Sequence, residues 1–121
     1  MKEYKLTETE EKFSELIWGN EPIGSGDLVK LCEIEMNWKK STTYTMIRKL
    51  CGRNILKNEN AIVTSLVKRE QVQKYESEAL LEKSFDNSLP AFIATFLQDK
   101  KLSKKEAEEL KNMIEEASKH E

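Results

Sequence analysis

Hydrophobic positions first recur at helical spacing at Phe13, Leu16 and Ile17, directly after the polar stretch "LTETEE". Thr7 and Glu10 stand three apart in that stretch, the spacing of a capping box, so a helix is predicted to begin after Thr7 and to stop near Gly19. "GNEPIGSG" is a loop by composition, and Ser25 suits the cap of a second helix striped by Leu28, Leu31, Cys32 and Met36. A third helix is predicted from about Ser41 to Arg53. At about 100° per residue its Thr43, Ile47, Leu50 and Cys51 form one core-facing stripe, while Ser41, Thr42, Thr45, Arg48, Lys49 and Arg53 fall on the opposite side. The β-prone segments "NILK" and "AIVTSLV" follow, separated by "NEN", whose asparagines adopt left-handed backbone at low cost; they predict a hairpin ending near Val67. Three helices followed by a hairpin is the order of a winged helix-turn-helix domain, and residues 1–69 are assigned to it.

Beyond Arg69 the periodicity turns helical again in "REQVQKYESEALLEKSF", "SLPAFIATFLQD" and "SKKEAEELKNMIEEASK", the last opened by a second capping box, Ser103 to Glu106. Residues 70–121 supply Leu80, Leu81, Phe85, Leu89, Phe92, Ile93, Phe96, Leu97, Leu102, Leu110, Met113 and Ile114. Three short helices cannot hide that much apolar surface among themselves, and a second copy of the chain is the simplest cover. A homodimer held together by this C-terminal helical region is therefore expected.

Charge sharpens the division. Residues 1–69 carry 12 basic and 10 acidic side chains, whereas residues 70–121 carry 8 and 12. Within this acidic protein of net charge −2, residues 38–57, "WKKSTTYTMIRKLCGRNILK", hold six Lys or Arg and no carboxylate. Duplex DNA carries one phosphate charge per ~1.7 Å of axis, so an acid on a helix lying in the major groove is repelled there. Short hydroxyls let the backbone approach, and cations meet phosphate or guanine. The stretch fits a recognition helix, with Lys39, Lys40, Ser41, Thr42, Thr45, Arg48, Lys49 and Arg53 as candidate DNA contacts and Lys57, Asn58 and Asn60 as candidates on the wing. The fold class expected is mainly α: a winged helix-turn-helix DNA-binding domain followed by a C-terminal helical dimerisation region.

Other classes are less well served. Cys32 and Cys51 have no companion ligand at metal spacing and read as small buried hydrophobes, and His120 is next to the last residue. No metal and no cofactor is expected, and the absence of a carboxylate pair, an activated nucleophile or a phosphate-cradling glycine loop argues against an enzyme. The longest apolar runs, such as "FIATFL", fall far short of the ~20 residues of a membrane span, and "MKEYKLTETEE" has no leader-like apolar stretch. A cytoplasmic protein without direct membrane association is expected. Trp18 and Trp38 are assigned to packing. Two other functions stay open: a winged-helix module that binds an acidic protein partner through the same basic face, and a ligand-sensing winged-helix regulator.

Three pieces in order, "KLTETEEKFSELIW", the "W" and "STTYTMIRKL" of 38–50, and "FLQDKKLSKKEAEELKNMIEE", resemble the BlaI/MecI/CopY family of penicillinase repressors. The resemblance implies a homodimeric repressor whose partner is double-stranded DNA bearing an inverted-repeat operator, in control of antibiotic-resistance or related stress genes. The family's tryptophan before the recognition helix matches Trp38 and its two threonines match Thr42 and Thr45. Its usual arginine falls at Lys49, and lysine lacks the planar fork that reads guanine. The family's glycine before the first wing strand is Asn54, which tolerates positive φ. The wing lacks the family's Gly-Arg-aromatic element, and the cysteine motif of copper-responsive members is absent. Resistance repressors of the family are cut near a "FL" pair, which resembles Thr95, Phe96 and Leu97; that likeness implies a regulatory cleavage at Thr95–Phe96 and a sensor protease as partner. The plainer reading of Phe96 and Leu97 is dimer core.

Overall fold

The structure, a computed structural model, describes residues 4–119, so His120 lies outside it. The chain is mainly helical with one small antiparallel sheet. The elements are α1 (Glu8–Trp18), β1 (Ile23–Gly24), α2 (Ser25–Met36), α3 (Lys40–Gly52), β2 (Leu56–Glu59), β3 (Ile62–Ser65), α4 (Arg69–Phe85), α5 (Leu89–Leu97) and α6 (Lys104–Ser118). The chain divides into two compact units, residues 1–80 and 81–121.

In the first unit, α1 starts where the capping box puts it: the Thr7 hydroxyl accepts from the Glu10 amide and the Glu10 carboxylate accepts from the Thr7 amide at 2.9 Å. α2 departs from expectation at its start. Ser25 is not the cap but the first helical residue, with Gly24 capping; its amide donates to Ala61 O at 2.8 Å, and its buried hydroxyl faces the Tyr44 hydroxyl at 3.4 Å. The reason is a strand the composition hides. Ile23 and Gly24 pair with Val63 and Ile62, making β1 the edge of a three-stranded sheet in the order β1-β3-β2. Two residues between Pro22 and Ser25 carry no alternation that could announce a strand.

The core of this unit is Phe13 and Ile17 from α1, Leu28 and Cys32 from α2, Ile47 and Leu50 from α3, Leu56 and Val63 from the hairpin, with Ile55, Val67 and Val72. Cys32 is fully buried and Cys51 half-buried, and burial raises both thiols above their ordinary value. Trp38 lies against Phe13 with ring centroids 5.5 Å apart. The Trp18 indole donates to Val67 O at 3.0 Å and carries the Arg69 guanidinium 5.5 Å above its ring.

The wing is a two-residue hairpin in which Glu59 pairs with Ile62, and the loop residues Asn60 and Ala61 have φ of 54° and 62°. Positive φ at both positions is the type I′ arrangement, which favours asparagine first and glycine second. Asn60 obeys the rule and Ala61 breaks it. A Cβ in left-handed backbone costs about 1–2 kcal/mol, and glycine returns part of that gain as chain entropy. Ala61→Gly is therefore expected to stabilise the unit by about 0.5–1 kcal/mol, read as a higher urea midpoint at unchanged slope; an unmoved midpoint would mean that the turn is not strained.

The second unit contains the end of α4, then α5 and α6. Ser88 caps α5 through the Ala91 amide and Ser103 caps α6 through the Glu106 amide. Phe85, Phe92 and Phe96 form a ladder with centroids 5.4 and 5.8 Å apart. Among its described residues none is fully buried.

Candidate nucleic-acid interface

The buried side of α3, Thr43, Ile47 and Leu50, locks it onto the core and thereby decides what the other side displays. Lys39, Lys40, Ser41, Thr42, Thr45, Arg48 and Lys49 are all exposed there. The first turn of α3 contains no acid, and the N-cap Lys39 makes no side-chain capping bond; its carbonyl takes the Thr42 and Thr43 amides at 3.0 and 3.2 Å, while the positive end of the helix dipole faces outward without a carboxylate. Lys40 leans toward the Tyr44 ring, 6.0 Å from its centroid, and Arg48 lies 3.4 Å from the Thr45 hydroxyl. Nothing anionic engages either cation among the described residues.

Two of the sequence candidates are held differently. Lys49 Nζ lies 3.0 Å from Glu10 Oε2, and Arg53 Nη1 lies 3.1 Å from Glu10 Oε1. Arg53 also donates through Nη2 to Lys5 O at 2.6 Å. The Glu10 side chain is only 3% exposed, against 56% for Lys49 and 37% for Arg53. Burial alone would raise the Glu10 carboxyl, but the Thr7 amide and then the hydrogen bonds and charges of Lys49 and Arg53 outweigh it and hold it at about 2. The capping box made Glu10 visible in the sequence as a helix opener. Its second role depends on a contact 43 residues away along the chain, and no local pattern announces it.

On the wing, Lys57, Asn58 and Asn60 are exposed, but Lys57 is paired with Glu59 at 2.9 Å, so the hairpin presents an ion pair where a phosphate clamp needs a lone cation. The base of the wing is fastened by Glu21, whose carboxylate accepts from the Ser65 amide at 2.8 Å, the Ser65 hydroxyl at 2.8 Å and Lys68 at 3.3 Å. Burial opposes ionisation of Glu21, and the Ser65 and Lys68 bonds outweigh it and lower its pKa.

In the second unit the candidates for self-association divide by exposure. Leu80, at the end of the first unit, and Leu89, Ile93, Phe96, Leu110, Met113 and Ile114 are exposed, whereas Leu81, Phe85, Phe92 and Leu97 are half-buried. The Thr95–Phe96 bond lies in the last turn of α5, where helical hydrogen bonding shields it until that turn unwinds. Among the described residues no cluster of His, Cys, Asp or Glu could hold a metal ion, and no helix is long and apolar enough to cross a membrane.

Three helices and an antiparallel hairpin, with a carboxylate-free helical face displayed on the third, define a winged helix-turn-helix protein. The sequence model of the penicillinase repressor family matches residues 6–116, and the chain belongs to that family of transcriptional repressors. It is 23% identical over 117 residues to the methicillin resistance regulatory protein MecI of Staphylococcus aureus strain Mu50, covering 93% of this chain and 95% of the relative. It is 22% identical to a penicillinase repressor of Staphylococcus aureus, covering 98% and 97%, and 21% identical to one of Bacillus licheniformis, covering 93% and 91%.

Proposed function

We infer that the protein is a sequence-specific repressor that binds an inverted-repeat DNA operator as a homodimer. The observation that carries this reading is the exposed face from Lys39 to Arg48, which offers three cations, three hydroxyls and no carboxylate on a helix whose other side is packed into the core. Lys39 and Lys40 suit phosphate contact; Thr42, Thr45 and Arg48 suit base edges. Two copies joined through their C-terminal helices would present two such faces roughly 34 Å apart, one duplex turn or a multiple of it. The exposed apolar side chains of α5 and α6, in a unit with no fully buried residue among those described, support the dimer.

Selection of duplexes from a randomised pool at two salt concentrations tests the reading. An enriched inverted repeat is expected, with affinity falling steeply as salt rises. Binding that follows salt alone would instead make the basic face a nonspecific DNA surface, and no binding at all would point it to an acidic protein partner.

A further inference from the structure

We propose that Glu10 is a positioning residue of the DNA-reading helix: by holding both Lys49 and Arg53 it fixes the rotation of α3 and withdraws its last two cations from the operator. The proposal rests on the DNA-binding reading above and narrows it. Lys49, in the last turn of α3, and Arg53, its C-cap, are four apart and therefore neighbours on one side of the helix end. Each takes a different oxygen of one carboxylate, at 3.0 and 3.1 Å, so the carboxylate grips the helix at two points along its axis. The Arg53 bond to Lys5 O adds a third point, and the Thr7 amide holds Glu10 itself in place. A rotation of α3 by one residue would break these bonds together and carry Thr42, Thr45 and Arg48 away from the groove.

A carboxylate that is nearly fully desolvated holds its cations far more firmly than an exposed one, and a phosphate competing for them would have to leave that buried anion with only the Thr7 amide beside it. Lys49 and Arg53 thus stay with Glu10 when DNA arrives, and the reading surface ends at Arg48. Asparagine-like polarity at position 10 would not serve, because the charge is what keeps two cations off the backbone of the duplex. Glu10 therefore acts on discrimination: it prevents the C-terminal half of α3 from adding phosphate attraction that every sequence offers equally.

Affinities of the unaltered protein, Lys49→Gln and Glu10→Gln are measured across a salt series, on the duplex recovered by selection and on an unrelated duplex of equal length. Lys49→Gln is expected to leave the salt slope on the recovered duplex unchanged. Glu10→Gln, by releasing two cations, is expected to steepen the slope by about 1–2 and to lower the ratio of specific to unrelated binding about tenfold. A Lys49→Gln slope shallower by about 1 would show that Lys49 touches a phosphate and would overturn the proposal while the DNA reading stands. An unchanged slope and ratio for a folded Glu10→Gln protein would overturn it equally. If the unaltered protein recovers no duplex, the DNA reading falls and takes this proposal with it.

Discussion

Met113→Glu combined with Ile114→Glu is expected to leave the protein monomeric at micromolar concentration and to weaken its binding to a two-half-site duplex by about a hundredfold or more. These side chains are 66% and 64% exposed in the single chain, so the substitutions remove nothing from its own packing. In a two-fold contact each charge enters twice, and an unpaired carboxylate in an apolar interface costs several kcal/mol or forces the interface open. The affinity loss follows because a dimer binds its second half-site as an intramolecular event, an advantage of about 10²–10⁴ that separate monomers forfeit. Helical content should fall as well, since residues 81–121 have no fully buried side chain among those described and are near the size, about 40 residues, below which a chain needs outside support to fold. Equilibrium sedimentation alongside circular dichroism checks both parts. A variant that remains dimeric would move the contact away from this face of α6.

Acid is expected to destabilise the first unit through Glu10. Its pKa of about 2 lies below the ordinary value of 4.5, so the folded state binds fewer protons than the unfolded chain between those limits. The stabilisation is complete above pH 4.5 and is lost as pH falls toward 2. A difference of that size corresponds to roughly 3 kcal/mol, and because both cations are more than a third exposed, screening reduces the expected loss to about 1–3 kcal/mol. Glu21, lowered in the same direction by Ser65 and Lys68, adds to the acid loss. Glu10→Gln should be less stable than the unaltered protein at pH 7 by a similar amount, and the gap should close near pH 2. Urea unfolding at both pH values measures it; a gap that persists in acid would mean that packing, not charge, accounts for the difference.

Much of this arrangement can be read from local pattern. The capping box at Thr7, the Ser103 cap, which forms only the hydroxyl half of its expected box, the apolar stripes of the helices and the Asn60 turn are interactions within a few residues, which is why their positions hold in the structure. Asn54 takes the positive φ, 59°, that its place before the wing suggested. What stayed hidden depends on distant partners: β1 exists only because β3 lies beside Ile23, and Ser25 loses its capping role to the same pairing. For the candidate site, the cations of α3 were visible as a row without acids, but a row of letters does not say which of them a buried Glu10 already holds. The wing shows the same limit, since Lys57 reads as a lone cation until Glu59 is found 2.9 Å away.

Trp18, hydrogen-bonded to Val67 and stacked under Arg69, and Trp38, set against Phe13, are the only two tryptophans of the chain, and both belong to the first unit. Indole emission is therefore a private optical channel of the first unit, blind to residues 81–121, whose aromatic residues are phenylalanines. A fluorescence titration of this protein follows the first unit alone, whereas a dichroism titration follows the helices of both, and the interval between their midpoints measures how tightly the two units melt together.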